Sequence, residues 1–379
     1  MQKKIIALAI AGLSSAAFAQ STVTISGNMD MGYQNTNTQT AANGKDTQQQ
    51  WAGNGSSTST IVFQGTEDLG GGLKAGFFLA SDYTAGAQQA TTAVAGATPF
   101  ANQLFNSQNF LSLSGNFGTV KFGTINHTSL EAEMGAQPFA TAIGSGVSAA
   151  FQRLNGRGTA GNIFSTGATS GNVGARMVRA GNSFKYDTPT FSGFTATYNH
   201  VFKNDNDQYS SVGMQELGLK YNNGPANVWL TTTKLDSGAN TLGSGTAAAP
   251  VATTLINEVT KHNIIAGNYT FGPATVYAGW TSSKQDLPAG RTVDARSWNI
   301  AVKYAVSGAL SLAANMLRVD DKMVANLDRN LNALGLDYAM SKRTTAYVRY
   351  ENGDNDKSGA TGGNTGAFTR WAVGARHSF

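Results

Sequence analysis

The chain contains no cysteine. That excludes a disulfide framework and any thiolate metal site. Charge is scarce too: only 13% of the 379 residues are Asp, Glu, Lys or Arg, about half the ~25% usual in a soluble domain. So few charges argue against a disordered, solvating chain. Long apolar runs are also missing. No stretch approaches the ~18 residues of a membrane helix, although 41% of the residues are hydrophobic and the mean hydropathy is −0.21. What is abundant is glycine, 45 residues, well above the ~7% average.

The N-terminus reads as an export signal. Met1-Gln2-Lys3-Lys4 is basic, Ile5 to Leu13 is apolar but too short to span a bilayer, and Ala17-Phe18-Ala19 has the small-x-small form of a cleavage site. Cleavage after Ala19 would remove Lys3 and Lys4 and no acid, lowering the formal net charge of +5 by two, to +3. That is too weak to suggest nucleic acid, which requires a concentrated basic face.

Beyond residue 19 the dominant period is 2. Thr369, Trp371, Val373, Ala375, His377 and Phe379 share one parity; Arg370, Ala372, Gly374, Arg376 and Ser378 share the other. Successive strand side chains point to opposite faces, so one face is apolar and the other polar. The same split recurs at Leu310, Leu312, Ala314, Met316 against Ser311, Ala313, Asn315, and at Trp298, Ile300, Val302, Tyr304 against Ser297, Asn299, Ala301, Lys303. It recurs again at Leu73, Ala75, Phe77, Leu79 against Lys74, Gly76, Phe78, Ala80, with Phe78 as an exception. Tight Gly-, Asn- and Pro-bearing turns fall at 67–72, 115–118, 187–193, 222–225, 272–273, 307–308 and 341–343. Long polar connections fall near 36–57, 83–107, 127–179, 204–212, 237–256, 285–293, 321–327 and 354–367. Seven short and eight long connections join sixteen strands, the alternation being poor in 200–215 and 325–340.

This predicts one all-β domain over 20–379, a transmembrane antiparallel β-barrel with short periplasmic turns and long outer loops. A solenoid would show a fixed repeat, which is absent, and a soluble sandwich would carry more charge. Lipid-facing positions cannot hold charge cheaply, at roughly 2–4 kcal/mol near mid-depth, so the barrel also accounts for the scarcity of charge.

Four segments carry a resemblance: Gly65-Thr66-Glu67-Asp68-Leu69-Gly70-Gly71-Gly72-Leu73-Lys74-Ala75, Leu113 to Val120, Tyr338 to Thr344, and the terminal Val373-Gly374-Ala375-Arg376-His377-Ser378-Phe379. They resemble the general diffusion porins of β-proteobacterial type. Val23-Thr24-Ile25-Ser26-Gly27, followed by Asp30, is similar to that family's first strand. The resemblance spans the chain beyond the signal. It implies a sixteen-stranded, trimeric outer-membrane barrel whose third long loop, here 127–179, folds into the lumen and narrows it. It also implies lipid and lipopolysaccharide around the barrel, and a C-terminal strand ending in Phe379 that the barrel-insertion machinery reads.

No catalytic, cofactor or metal site emerges. Gly156, Gly158 and Gly161 match a dinucleotide motif in letters only, because they sit in a long loop rather than between strand and helix. Gly70-Gly71-Gly72 lacks the Lys-Ser/Thr ending of a phosphate loop, and no G-x-S-x-G occurs. His127, His200, His262 and His377 lack metal-ligand spacing. The chain is therefore not expected to be an enzyme.

Parity instead places Lys74, Lys121, Lys185, Lys220, Lys303, Arg349, Arg370 and Arg376 inward, with Asp30, Asp82, Glu216, Asp337 and Glu351. Charged rings bias which ions enter a water channel. Loop acids Glu131 and Glu133, facing wall bases, would set up a transverse field; Arg153 and Arg157 would pin the loop. Relatives carry bases at positions aligning with Thr60, Gln64 and Thr124, all neutral here, so the expected anion preference is weak. Tyr33, Trp229, Tyr269, Trp280, Trp298, Tyr304, Tyr338, Tyr350, Trp371 and Phe379 lie near strand ends and suit an interfacial girdle. The expected function is passive diffusion of ions and small hydrophilic solutes. The alternatives are a channel specific for sugars or organic anions, or a non-conducting adhesin or structural barrel.

Overall fold

A computed structural model describes residues 22–40, 44–83, 104–146, 179–202, 212–240, 256–286, 292–322, 328–355 and 367–379. The expected signal, residues 1–19, lies outside them. Among the described residues no helix is long and apolar enough to cross a membrane. The chain forms strands throughout: β1 (Thr22–Thr40), β2 (Gly44–Ala52), β3 (Ser59–Gly70), β4 (Leu73–Tyr83), β5 (Asn109–Gly115), β6 (Gly118–Asn126), then helix α1 (Thr128–Gly135), β7 (Arg179–Asp187), β8 (Phe194–Val201), β9 (Val212–Asn223), β10 (Ala226–Asn240), β11 (Ile256–Phe271), β12 (Ala274–Asp286), β13 (Thr292–Ala305), β14 (Leu310–Asp321), β15 (Arg329–Ala339), β16 (Thr344–Asn355) and β17 (Phe368–Ser378).

Apart from β2 and β3, each strand pairs antiparallel with its sequence neighbour, and β1 pairs with β17 to close the ring. β2 and β3 are one barrel strand in two pieces, since β1 pairs with β2 through its second half and with β3 through its first. The closed barrel thus has sixteen strands, as the alternation of connections predicts. The seam is finished by the last residue. Phe379 and Gly27 exchange backbone hydrogen bonds of 3.0 and 3.1 Å, and the Phe379 ring covers the outer side of Gly27.

The strand boundaries differ from the sequence reading on the long-loop side. β1 and β2 run on through most of 36–57 as a polar hairpin. Both faces there are polar, so no period 2 marked it. The stretch 325–340, where alternation is weak, contains β15, whose inward face carries Leu331 and Ala333 and whose outward face carries Leu334 and Leu336. Short turns match the sequence reading. At Gly70-Gly71-Gly72 all three residues have positive φ (81°, 61° and 83°), the left-handed region that only glycine enters freely.

The two faces have separate chemistry. Outward positions form a solvent-accessible apolar band: Ile300 is 58% exposed while its neighbour Ala301 is 4% exposed. Among the described residues no part of this chain packs on the band, as expected of a face whose solvent is lipid. The packed core lies inside the barrel instead. Leu317, Val319, Leu331 and Ala333 face inward and bury Phe139. Ile264, Ala266 and Trp229 bury Ala132 and Ala136. Trp229 is therefore inside, a correction to its expected place in the girdle. Tyr269, Trp280, Trp298, Tyr304, Tyr338, Tyr350, Trp371 and Phe379 are exposed and outward.

Candidate functional site in the lumen

Residues 127–146 follow β6 and enter the barrel. They are held by the inner wall in chain order. His127, the residue before α1, makes no side-chain cap. The wall supplies the cap: Glu216 of β9 accepts the backbone N–H of Thr128 (2.6 Å) and of Ser129 (3.2 Å), and the Thr233 hydroxyl donates to it (3.0 Å). A carboxylate at a helix N-terminus satisfies orphan donors and opposes the helix dipole. Three inward asparagines then take the carbonyls. Asn268 donates to Gly135 (2.9 Å), Asn299 to Ala136 (2.5 Å) and Asn315 to Gly144 (2.9 Å). Glu351 of β16 accepts the Gly144 N–H (2.6 Å).

A second, shorter segment joins it. Residues 53–58, the break between β2 and β3, lie inside against β1 and β16. Asp30 accepts the N–H groups of Ser56 and Ser57 (both 2.6 Å) and the Tyr347 hydroxyl (2.6 Å). The Tyr347 ring fits only because Gly32, Gly374 and Gly55 offer no Cβ where it sits. Thr58 and Thr141 share a hydrogen bond of 3.2 Å, so the two inward segments touch.

The ion pairs revise the expected field. Glu131 does not face wall bases across water. It contacts them, pairing with Lys185 (2.8 Å) and with Lys220. Burial acts to raise the Glu131 carboxyl, but the two ammonium groups outweigh it and hold it below the usual range. Glu133 is buried 3.9 Å from His262. Burial and the Glu216 charge push its carboxyl well above the usual range, so it adds no lumen charge.

Other expected pore-lining groups are also bound up in structure. Asp30 is fully buried under residues 53–58. Arg349 has 4% of its side chain exposed; it pairs with Asp337 (2.7 Å) and packs between the rings of Phe139 and Tyr347. Arg370 donates from Nε to Glu351 (2.8 Å), and Lys185 is buried. Asp30, Arg349 and Lys185 support the inward segments rather than meet passing solute, whereas Arg370 holds Glu351 with 30% of its side chain still exposed. Lys74 is exposed but sits two residues beyond Gly72, at the short-turn rim away from residues 127–146. Arg376 lies at the same end, half-buried. Lys121 is partly exposed, 3.1 Å from Asp187 and 5.8 Å from the Phe110 ring. Arg179 spans to Asp82 (2.9 Å). Arg153 and Arg157 lie outside the described residues. Trp371 faces outward and packs on Tyr33, which meets Trp51.

Sequence reasoning missed Glu216 and Glu351 as anchors, together with the three asparagines and Asp187. Inward parity was visible for Asn299 and Asn315, but a polar inward residue reads as wetted wall until a loop lies on it.

Among the described residues, those of 127–146 cover the inner wall from β9 to β16 and leave the wall of β3 and β4 uncovered. There the inward Gln64, Thr66 and Lys74 are exposed. Among the described residues no cluster of His, Asp and Glu could hold a metal ion. Residues 6–358 match a family model described as Gram-negative porin. The chain is 28% identical over 351 residues to outer membrane porin protein 32 of Delftia acidovorans, covering 92% of this chain and 88% of that one. It is 25% identical over 401 residues to the major outer membrane protein P.IB of Neisseria gonorrhoeae, covering all of both. Its fold superposes on an anion-selective porin from Comamonas acidovorans with a TM-score of 0.75 at 24% identity, covering 95% of this chain and 100% of that one.

Proposed function

The chain belongs to the Gram-negative porins, outer-membrane channels rather than enzymes, through which ions and small hydrophilic solutes diffuse passively, and on that premise we propose that residues 127–146 set the aperture and that the channel weakly prefers anions. The observation that carries this reading is the one-sided placement of residues 127–146. Anchored from Glu216 to Glu351, they restrict water to the β3–β7 side, where Lys121 and Arg179 stand with Asp187 and Asp82. Those pairs cancel in net charge, so they polarise the path without giving it a strong sign. The bias comes from inward bases with no ion pair among the described residues, Lys74, Lys303 and Arg376, and from Lys185 and Lys220 sharing the single acid Glu131. The relative named as anion-selective has the same fold.

Three further points belong to this reading. The protein is exported with loss of residues 1–19. It assembles as a homotrimer, as resemblance implies; an outer membrane protein of Vibrio cholerae with the same fold is described in a trimer form (TM-score 0.61, 16% identity). Its seam-closing Phe379 presents the C-terminal strand to the insertion machinery, and its outward band meets lipopolysaccharide.

The test is the reversal potential of the purified protein in a planar bilayer under a salt gradient. A modest anion preference is expected, and Lys121→Glu should move it toward cations. A clear cation preference in the unmodified protein overturns the selectivity reading, and absence of conductance steps overturns the channel.

A further inference from the structure

The lipid-facing side of the barrel carries a feature that the channel does not use. Between β12 and β16 the outward wall is indented by a groove of about 520 Å³, lined by Ile300, Ala314, Met316, Leu334 and Tyr350, with Asn332 near one end. Ala314 between larger neighbours makes the floor low. Two residues beyond Met316, at the same outward parity, stands Arg318. It donates to Asn332 (3.0 Å) and to the carbonyls of Leu317 (2.7 Å) and Leu331 (3.4 Å). These bonds use three of the five guanidinium N–H groups, leaving Nε–H and one Nη2–H.

Cross-strand register extends the basic ground. Trp298 opposes Arg318, and Arg296, one row further toward the long-loop side, stands opposite Asp320. Another row out, Lys234, Lys261 and Lys284 stand directly opposite one another on β10, β11 and β12. Like charges opposed across strands destabilise a sheet. Lys284 has Asp294 at 3.5 Å, and Asp320 pairs with Lys322. Arg296, Arg318, Lys234 and Lys261 have no ion pair among the described residues. The register places Asp236 and Asp286 one row beyond the lysines.

Depth decides what can reach these cations. Tyr304 and Asp294 lie on the outward face of β13, roughly 33 Å apart at ~3.3 Å per residue. At the usual 35–45° tilt this is about 25 Å along the membrane normal, the height of the apolar band. The lysine row therefore marks the outer edge of that band. By the same conversion Arg296 falls about 5 Å and Arg318 about 10 Å inside it, where a guanidinium is costly unless an anion meets it or its long side chain reaches back to the edge.

We propose that this face is a binding site for a phosphorylated, acylated lipid of the outer leaflet: an acyl chain occupies the groove, and its phosphate sits on Arg318 and Arg296 with the lysine row beside it. An apolar slot ending in donors that form charge-assisted bonds to phosphate matches that chemistry end to end. The proposal rests on the outer-membrane reading but not on the channel reading.

The experiment uses the full-length barrel purified in a neutral detergent and probed with bisphosphorylated lipid A by native mass spectrometry. The unmodified protein should retain lipid A at least tenfold better than phosphatidylcholine or dephosphorylated lipid A, and inorganic phosphate should not compete. The Arg296→Gln, Arg318→Gln double variant should lose about tenfold in retention. Ala314→Leu, which fills the groove and keeps every cation, should lose a comparable factor. Single-channel conductance should stay unchanged in both, because all three positions face away from the lumen; this separates failure of the site from failure of the channel. Equal retention of phosphatidylcholine, or undiminished lipid A retention in both variants, overturns the proposal.

Discussion

The tether between Glu216 and the start of α1 makes the sharpest demand on the structure. Glu216→Ala removes a fully buried carboxylate that accepts two backbone N–H groups, at 2.6 and 3.2 Å. Hydrogen bonds to charged groups contribute about 1.5–3 kcal/mol each. Once the segment lifts, lumen water can satisfy the freed N–H groups, so the lower end applies and the two bonds together amount to about 3 kcal/mol. At 1.4 kcal/mol per decade, the lifted population should rise about 100-fold. The natural absence of cysteine supplies a clean assay. Ser129 is fully buried beneath this tether, and Ser129→Cys places one thiol there. Its reaction rate with a small water-soluble thiol reagent reports how often the segment lifts. Glu216→Ala in that background should speed labelling about 100-fold, and Glu216→Gln, which keeps one acceptor oxygen, about tenfold. Labelling within threefold of the parent in the Glu216→Ala variant would refute the claim that the wall carboxylate holds the loop.

Two other perturbations test the electrostatics. Asp187→Asn frees Lys121; a unit charge about 7 Å from a passing ion contributes about 0.6 kcal/mol in water, roughly halved at 0.1 M salt, so the anion-to-cation permeability ratio should rise about 2–3-fold at 0.1 M and not at 1 M. The pH response of the loop should depend on His127, which burial pushes down to about 4, the Glu216 charge opposing this and Lys185 and Arg179 adding to it. The docked loop holds this imidazole neutral, so its contribution is present above pH 6.5 and is lost as pH falls toward 4, about 3 kcal/mol over that span. Glu133 acts in the opposite sense: its carboxyl is raised by burial and Glu216, so it favours docking at low pH. The difference between unmodified protein and His127→Gln isolates the histidine. Current flicker should grow more on acidification in the unmodified protein, and identical pH profiles would remove His127 from the account.

The barrel was written in the sequence because a membrane strand obeys a local rule. Lipid on one side and lumen on the other force period 2 along each crossing, and the Gly, Asn and Pro turns interrupt it at every short connection. The strand count, the outward aromatics from Tyr269 to Trp371 and the closing role of the terminal strand follow from those local signals. Where both faces are wet the rule fails, so the extension of β1 and β2 left no trace.

The lumen obeys no such rule. Whether Arg349 meets water or lies between Phe139 and Tyr347 depends on a segment some two hundred residues away in sequence. Whether Glu131 faces Lys185 across a channel or touches it depends on where Glu216 fastens the helix. Parity gives the side of the wall on which a charge stands. Only the packing of residues 53–58 and 127–146 against that wall decides which charges remain in water, because a pair a few ångströms apart cancels and a separated one does not.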